Sequence, residues 1–232
     1  MKRFWKEAAT IPTDEGWGIE LDGKPVRTPA RHSLVVPSPT LAGAIAAEWN
    51  DAGETIDPRS MPLTGLANAA IDRVAPDREA FATSLATYGE SDLLCYRAEG
   101  PRELLARQEA AWDELLAWGR RRFDVDFETT CGIVHVAQPE ATVRQLAHAV
   151  ASLDAFGLAG LSPLVTIGGS LVVALAVLEG HLQAERAWEA LTIDEQWQRE
   201  QWGEDEEAQA ALEARRDDFL AAARFLELLN DQ

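Results

Sequence analysis

Hydrophobic and polar residues follow two different periodicities, one near the start of the chain and another from residue 38 onward. Residues 17–21 and 25–28 have the apolar character of strands and flank Asp22-Gly23, a dipeptide that favours tight hairpin turns. A further apolar run, residues 33–36, ends at Pro37. These segments predict a small antiparallel sheet in the amino-terminal part.

From Ser38 the spacing of apolar residues becomes helical. Leu41, Ile45 and Trp49 share one face, and Ser38 followed by Pro39 is typical of a helix cap and first turn. Further helices are predicted at residues 63–74, 77–91, 104–119, 140–155, 170–179 and 204–229, with a glycine- and proline-rich loop before residue 170 and a weak strand at 132–137.

The Gly100-Pro101 dipeptide marks the predicted boundary between two parts of the chain. The predicted fold class is α+β. We expect a small amino-terminal domain with an antiparallel sheet and helices at residues 1–100, followed by a mainly α-helical domain at residues 101–232.

Composition and charge narrow the class of protein. The 232 residues are 47% hydrophobic and 26% charged, which excludes intrinsic disorder, collagen and a disulfide scaffold. A net charge of -18 disfavours binding to nucleic acid or to an anionic membrane. The first 31 residues are nearly neutral, so the acidic body indicates either a partner with basic patches or a charge that keeps the protein soluble.

No targeting or membrane segment is predicted. The amino terminus is basic, but it lacks the apolar core of a signal peptide, and we expect neither a signal peptide nor a presequence. Residues 155–178 carry no formal charge, yet their glycines, serines and Pro163 predict a loop and a buried core helix. The sequence therefore predicts a protein without membrane insertion.

The sequence contains no catalytic or metal-binding constellation. His32, His135, His148 and His181 do not have the spacing that places two ligands on one helical face. Cys95 lies among apolar neighbours that predict a buried thiol. We therefore expect no catalytic residue, no metal and no cofactor.

The segment around Glu195 is more informative. A continuous helix would place Trp188, Glu195 and Trp202 on one stripe at seven-residue intervals. A carboxylate among aromatic rings needs a partner or an interface. Two structural interpretations stay open: Thr192 and Glu195 have the spacing of a capping box, and Glu195 could pair with a core arginine. Trp49, on an alanine-rich helix, is typical of a core anchor.

Several motifs, in order along nearly the whole chain, resemble the assembly chaperones of the ATP synthase catalytic head that handle the α subunit, a family of mitochondria and alpha-proteobacteria. The motifs are Phe4-Trp5-Lys6, LDGKPVRTP at 21–29, Glu48-Trp49, MPLTGLANAAID at 61–72, DLLCYRA at 92–98, QEAAWDELLAW at 108–118, GGSLVVALAVLEG at 168–180 and residues 195–203.

The resemblance implies a chaperone without enzymatic activity. It implies binding of the unassembled α subunit and shielding of the surface that this subunit later offers to the β subunit. The family's important carboxylate matches Glu195, with the neighbouring Asp194 as an alternative, and its important tryptophan matches Trp49. We expect Glu195, Asp194 and Trp202 to contact the partner, Trp49 to support the fold or a groove, and the protein to be a monomer.

Two other functions stay open from the sequence. A small-molecule enzyme with a site between the two domains would use Cys95 or His135. A general holdase would protect unrelated unfolded proteins as well as it protects the α subunit.

Overall fold

The structure, a computed structural model, describes residues 2–203 and 205–231. The described chain packs as two compact units. The first unit consists of residues 2–78, 153–160 and 221–231, and the second consists of residues 79–152, 161–203 and 205–220. This grouping places residues 79–100 with the second unit, and the domain boundary predicted at residue 100 stays a prediction.

The first unit contains the predicted antiparallel sheet. Its strands are β1 (Ala8–Thr13), β2 (Gly16–Leu21), β3 (Lys24–Pro25) and β4 (Val35–Val36). β1 pairs along one side of β2, and β3 and β4 pair with β2 on its other side, all antiparallel. Strand β1 was not predicted, and its Pro12 is tolerated because β1 pairs on one side only.

The turn between β2 and β3 has the predicted sequence and geometry. Leu21 lies opposite Lys24, so only two residues, Asp22 and Gly23, form the turn. Both have positive φ, 50° and 77°, as a type I′ hairpin turn requires. The Asp22 carboxylate also accepts hydrogen bonds from the backbone N–H groups of Glu7 and Lys6, which lower its pKa.

Asp72 holds the segment that follows β3. Its carboxylate accepts hydrogen bonds from the Thr28 hydroxyl at 2.7 Å, from the Ala30 N–H at 2.9 Å and from His32 Nδ1 at 3.0 Å. Burial raises the pKa of this carboxyl, but the three hydrogen bonds outweigh burial, and the pKa lies below its ordinary value of 3.8. Residues of the motifs at 21–29 and 61–72 thus meet in one polar cluster.

Helices α1 (Pro39–Asp51) and α2 (Pro62–Ala69) complete the contiguous part of the first unit. The predicted cap is present, because the Ser38 hydroxyl accepts a hydrogen bond from the Leu41 N–H at 3.2 Å. α1 packs on the sheet and buries Leu41 and Ile45 completely. After α2 the chain continues through a π-helical turn and a 3-10 turn.

The rest of the described chain is mainly helical, as predicted. Its helices are α3 (Arg78–Ala86), α4 (Arg102–Phe123), α5 (Glu140–Ala151), α6 (Ala155–Gly168), α7 (Leu171–Leu178), α8 (Ala184–Leu191), α9 (Ile193–Trp202) and α10 (Glu206–Asn230). Glu204, the predicted start of the last helix, lies outside the described residues. No helix in 2–203 and 205–231 has both the length and the apolar character needed to span a membrane.

Two predictions for this region were wrong. The glycine- and proline-rich segment before residue 170 is helix α6, with Pro163 inside it. Leu158, Leu161 and Leu164 are completely buried there, and this packing outweighs the poor helix propensity of the segment. The strand predicted at 132–137 is a loop, and the short strand β6 (Thr130–Cys131) precedes it, paired in parallel with β5 (Tyr96–Arg97).

A completely buried carboxylate fixes the start of β5. Asp92 accepts hydrogen bonds from the N–H of Leu94 at 3.0 Å and from the N–H of Val172, in the first turn of α7, at 2.9 Å. Burial raises the pKa of Asp92, and the hydrogen bonds to its carboxylate act in the opposite direction. The motif at 92–98 is therefore anchored to the most deeply buried helix of the second unit.

Candidate partner-binding site

The predicted aromatic stripe is interrupted at Thr192. This residue leaves helical geometry, with φ of -111° and ψ of 21°, and it separates α8 from α9. Its hydroxyl donates to the Trp188 carbonyl at 2.7 Å and accepts from Gln196 Nε2 at 2.9 Å. Trp188 is consequently a buried residue of α8, whereas Glu195 and Trp202 lie on α9. The continuous helix that such a stripe requires is therefore not formed.

Glu195 is neither a capping-box residue nor part of a core ion pair. The Thr192 side chain makes no capping hydrogen bond to α9. Glu195 Oε1 lies 3.2 Å from Nη2 of Arg215 on α10, and the two side chains are 41% and 47% exposed. Exposed ion pairs contribute at most about 1 kcal/mol, so the fold does not depend on this carboxylate.

Asp194, in contrast, ties the first turn of α9 to α4. Its Oδ1 accepts a hydrogen bond from Gln108 Nε2 at 2.7 Å, and Gln108 Oε1 accepts one from the Ala98 N–H at 2.8 Å. Gln108 is buried. Nearby, Trp112 donates its indole N–H to the Ala190 carbonyl at 2.7 Å. These bonds hold the start of α9 in place.

A second contact between α4 and α9 lies at the surface. The Arg107 guanidinium forms two hydrogen bonds with the Glu200 carboxylate, each 2.8 Å long, and lies 4.9 Å from the centre of the Trp197 ring. The hydrogen bond lowers the pKa of Glu200 and raises the pKa of Arg107. The pair is fully charged at neutral pH and fixes the orientation of α9.

The second half of α9 is exposed on every side. All residues from 198 to 202 are exposed, and Trp202 is 80% accessible. Trp202 follows Glu195 by seven residues, so the two side chains lie on the same side of the helix, roughly 10 Å apart along its axis. A carboxylate and a large aromatic ring are thus presented together on an anchored helix.

Trp49 lies in the first unit and is half-buried. Its ring packs edge-on against Trp5, with 5.1 Å between ring centres, and its carbonyl accepts the Trp5 indole N–H at 3.1 Å. The Trp49 Nε1 atom is buried without a hydrogen-bond partner. Trp49 therefore contributes to the core, while Asp194, Glu195 and Trp202 share α9 in the second unit.

Sequence reasoning missed the partners of the acidic residues. Gln108 was part of a family motif, but its link to Asp194 spans 86 residues. Arg107 precedes that motif, and Arg215 belongs to the basic pair Arg215-Arg216 in an otherwise acidic segment. This basic pair was the only visible indication that α10 supplies a charge partner for α9.

The thiol of Cys95, the catalytic candidate of the alternative enzyme interpretation, is buried in the second unit. Burial raises the pKa of Cys95 to about 12; the negative charge of the nearby Asp92 adds to this rise, and the positive charge of Arg97 opposes it. The thiol is therefore protonated at neutral pH. A cleft between α9 and α10 has a volume of about 150 Å³, half that of the smallest usual ligand pockets. No three His, Cys, Asp or Glu side chains group as metal ligands within the described ranges.

Comparison with known proteins agrees with this description. The sequence profile of the family described as ATP12 chaperone protein matches residues 2–120. The mitochondrial protein atp12 of Schizosaccharomyces pombe is 28% identical over 219 residues, which cover 89% of this chain and 75% of that protein.

Two solved structures share the fold over almost the whole chain. Atp12 from Paracoccus denitrificans has a TM-score of 0.95 and 41% identity, covering 99% of this chain and 98% of its own. The Atu1473 protein of Agrobacterium tumefaciens has a TM-score of 0.94 and 39% identity, covering 99% of this chain and 86% of its own.

The α+β fold and these similarities define a protein of the chaperone class. The chain belongs to the ATP12 chaperone protein family, which confirms the resemblance to F1-ATPase assembly chaperones. The class of partner is accordingly a component of the ATP synthase.

Proposed function

We propose that this chain binds the unassembled α subunit of the ATP synthase catalytic head and shields its β-facing surface until the hexamer forms. An unassembled subunit exposes an apolar interface that is prone to aggregation, and a chaperone covers such a surface reversibly. The proposal rests on membership of the family and on the motifs that run through the chain.

The observation that carries the proposal is the exposed end of α9. Trp202 is 80% exposed, although burying a tryptophan is normally favourable. Tryptophan is also among the residues that contribute most to protein–protein affinity. The half-exposed Glu195 on the same side of α9 supplies a carboxylate for a basic group of the partner.

Asp194 and Trp49 have different roles in this proposal. Asp194 positions α9 through Gln108, so its contribution to binding is indirect. Trp49 stabilises the first unit through Trp5 and the surrounding core. The client surface in the second unit is centred on Glu195 and Trp202.

We propose a monomer as the working state and the cytoplasm as its compartment. Cys95 and Cys131 are both free thiols, as expected in a reducing environment. A mass of 25 kDa by light scattering would support the monomer. A mass of twice that value would contradict it.

Co-expression with the α subunit of the same host tests the function. Size-exclusion chromatography of the soluble fraction is expected to show a stoichiometric complex with α, and this complex is expected to disappear when β is also supplied. An α subunit that stays insoluble, or that is soluble without this chain, would contradict the proposal.

Two substitutions test the site. Glu195→Lys and Trp202→Ala are each expected to weaken capture of α at least tenfold while unfolding remains cooperative, because both side chains are exposed. Glu189→Lys is a matched control, since Glu189 also pairs with an exposed arginine, Arg186. If the Glu189 and Glu195 variants bind α equally well, Glu195 is not part of the client surface.

A further inference from the structure

The loop at residues 132–137 exposes apolar side chains that the packing of the second unit does not use. Ile133 is 98% exposed and Val134 is 73% exposed. They are two of the four large hydrophobic residues classed as exposed within the described ranges, and they are adjacent in sequence. An isolated exposed residue is ordinary, but two β-branched residues at one loop tip form a patch.

This loop continues from a strand whose outer edge is free. The β5–β6 sheet has two strands in the described chain, so β6 is an edge strand. The Gly132 N–H donates to the Arg97 carbonyl at 2.8 Å. Because backbone groups alternate in direction along a parallel strand, the N–H and C=O of Cys131 point away from β5. The Cys131 carbonyl accepts one hydrogen bond, a long one of 3.4 Å from the hydroxyl of the neighbouring Thr130, and can accept a second from an added strand.

The backbone beyond Gly132 is also unpaired. The N–H and C=O groups of residues 133–137 form no hydrogen bond with another residue of the described chain. The contact that holds this segment is between side chains, the Tyr96 hydroxyl and His135 Nδ1 at 3.2 Å. Unpaired donors and acceptors beside a strand edge are the groups that an added strand satisfies.

The surroundings keep this edge in a fixed position. Gly132 has a φ of 82°, and a Cβ atom there would lie 2.9 Å from Glu99 Oε1, so the turn requires glycine. β5 itself is anchored through Asp92 to α7. The exposed edge therefore projects from a rigid part of the second unit.

The charge and the size of the free β6 edge indicate which kind of chain segment binds there. Residues 129–139 carry no Asp, Glu, Lys or Arg, although the whole chain has a net charge of -18. The Glu99 carboxylate lies at the Gly132 turn, so the edge beyond that turn suits an uncharged segment. Burial of two aliphatic side chains removes on the order of 200 Å² from each copy in a symmetric dimer. A stable dimer buries about 1,200 Å² or more in total, so this edge alone does not hold two copies together.

We propose that an extended, uncharged segment of the client subunit adds as a strand to the free edge of β6, with apolar side chains against Ile133 and Val134. This inference rests on the proposed function and adds a second contact area to the one on α9. Backbone hydrogen bonds hold the bound segment alongside β6 in an extended conformation, and the two β-branched side chains make apolar contacts with it.

The test combines a loop variant with hydrogen exchange. Ile133→Glu with Val134→Glu is expected to weaken capture of the α subunit at least tenfold, and Ile133→Ser with Val134→Ser to weaken it in the same direction without added charge. Ala141→Glu with Gln145→Glu is the matched control, because both residues are exposed on α5 and the control adds the same charge. In the wild-type complex, amide exchange at Cys131 and Ile133 is expected to slow.

The outcomes separate this inference from the proposed function. If the wild type captures α, and the loop variants capture it equally without slower exchange at Cys131 and Ile133, the inference is overturned and the proposed function stands. If the wild type does not capture α, both fail. A wild-type dimer that the loop variants dissociate would assign the edge to a second copy and overturn the inference.

Discussion

Removing the Glu48 carboxylate is expected to destabilise the first unit by about 2–4 kcal/mol. The side chain projects from α1 and accepts hydrogen bonds from the N–H groups of Leu63 and Thr64, each at 2.8 Å, and from the Thr64 hydroxyl at 2.7 Å. These N–H groups belong to the first turn of α2, where no carbonyl within the helix can accept them. Glu48 therefore caps a helix to which it does not belong.

The magnitude follows from what the change leaves behind. Leu63 and Thr64 are buried, so Glu48→Ala leaves their two backbone N–H donors without a partner in a site with little water. An unpaired buried donor costs about 1–3 kcal/mol, and loss of a helix cap costs about 0.5–2 kcal/mol. Glu48→Gln keeps one carbonyl acceptor and is expected to cost roughly half as much.

Urea unfolding followed by circular dichroism measures this effect. The midpoint is expected to fall while the slope of free energy against urea stays constant. Asp51→Ala is the control, because Asp51 is an exposed acidic residue in the last turn of the same helix, and its removal should change stability by less than about 0.5 kcal/mol. If the Glu48 and Asp51 variants unfold at the same urea concentration, the carboxylate does not cap α2.

Three further changes have expected outcomes. Gly160→Ala should destabilise the protein by about 1–3 kcal/mol in urea unfolding, because the new Cβ would lie 2.6 Å from Cδ2 of Leu226. Gly43→Ala, which points its Cβ into open space, should instead stabilise the protein by about 0.5–1 kcal/mol. Equal effects of the two substitutions would contradict the packing at Gly160. The difference in stability between wild type and Asp72→Asn should persist from neutral pH down to about pH 4 and then narrow as the pH falls toward the lowered pKa of Asp72. A difference that does not narrow at all below pH 4 would count against the cluster. A thiol reagent at pH 8 should label Cys131 rapidly and leave Cys95 unlabelled until unfolding, whereas fast labelling of both would show that Cys95 is accessible.

Local sequence patterns predicted those elements whose geometry depends on neighbouring residues. The dipeptide Asp22-Gly23 forms the turn it predicted because both positions need positive φ. Ser38 caps α1 because its hydroxyl lies three residues from the N–H it accepts. In both cases the deciding interaction lies within four residues of chain.

Elements decided by distant contacts were not predictable in this way. Pro163 stays within α6 because its neighbours are buried, and propensity alone favoured a loop. The helix break at Thr192 places Trp188 in the core and leaves Trp202 outside, although a continuous helix would have placed both on one stripe. Sequence periodicity cannot show which part of a helical pattern the rest of the fold covers.

The candidate site was likewise predictable only where the information lies in nearby residues. The Glu195 segment was found from its unusual mixture of aromatic and acidic residues, and the family resemblance assigned it a role. Its partner Arg215 lies 20 residues away on another helix, a distance at which periodicity carries no information. The apolar loop tip at Ile133 and Val134 looked like a weak strand, because exposure cannot be inferred from composition alone.

The first unit is built from both ends of the chain, and this affects how the protein is made. The Ser38 hydroxyl donates a hydrogen bond at 2.6 Å to the Leu228 carbonyl, 190 residues later, and Phe225 is completely buried in the core of the same unit. On the ribosome, the sheet and α1 emerge before this turn of α10 and lack it until 190 further residues have been synthesised. A truncated translation product would therefore expose the apolar side of its own sheet and become a substrate for other chaperones or for proteases.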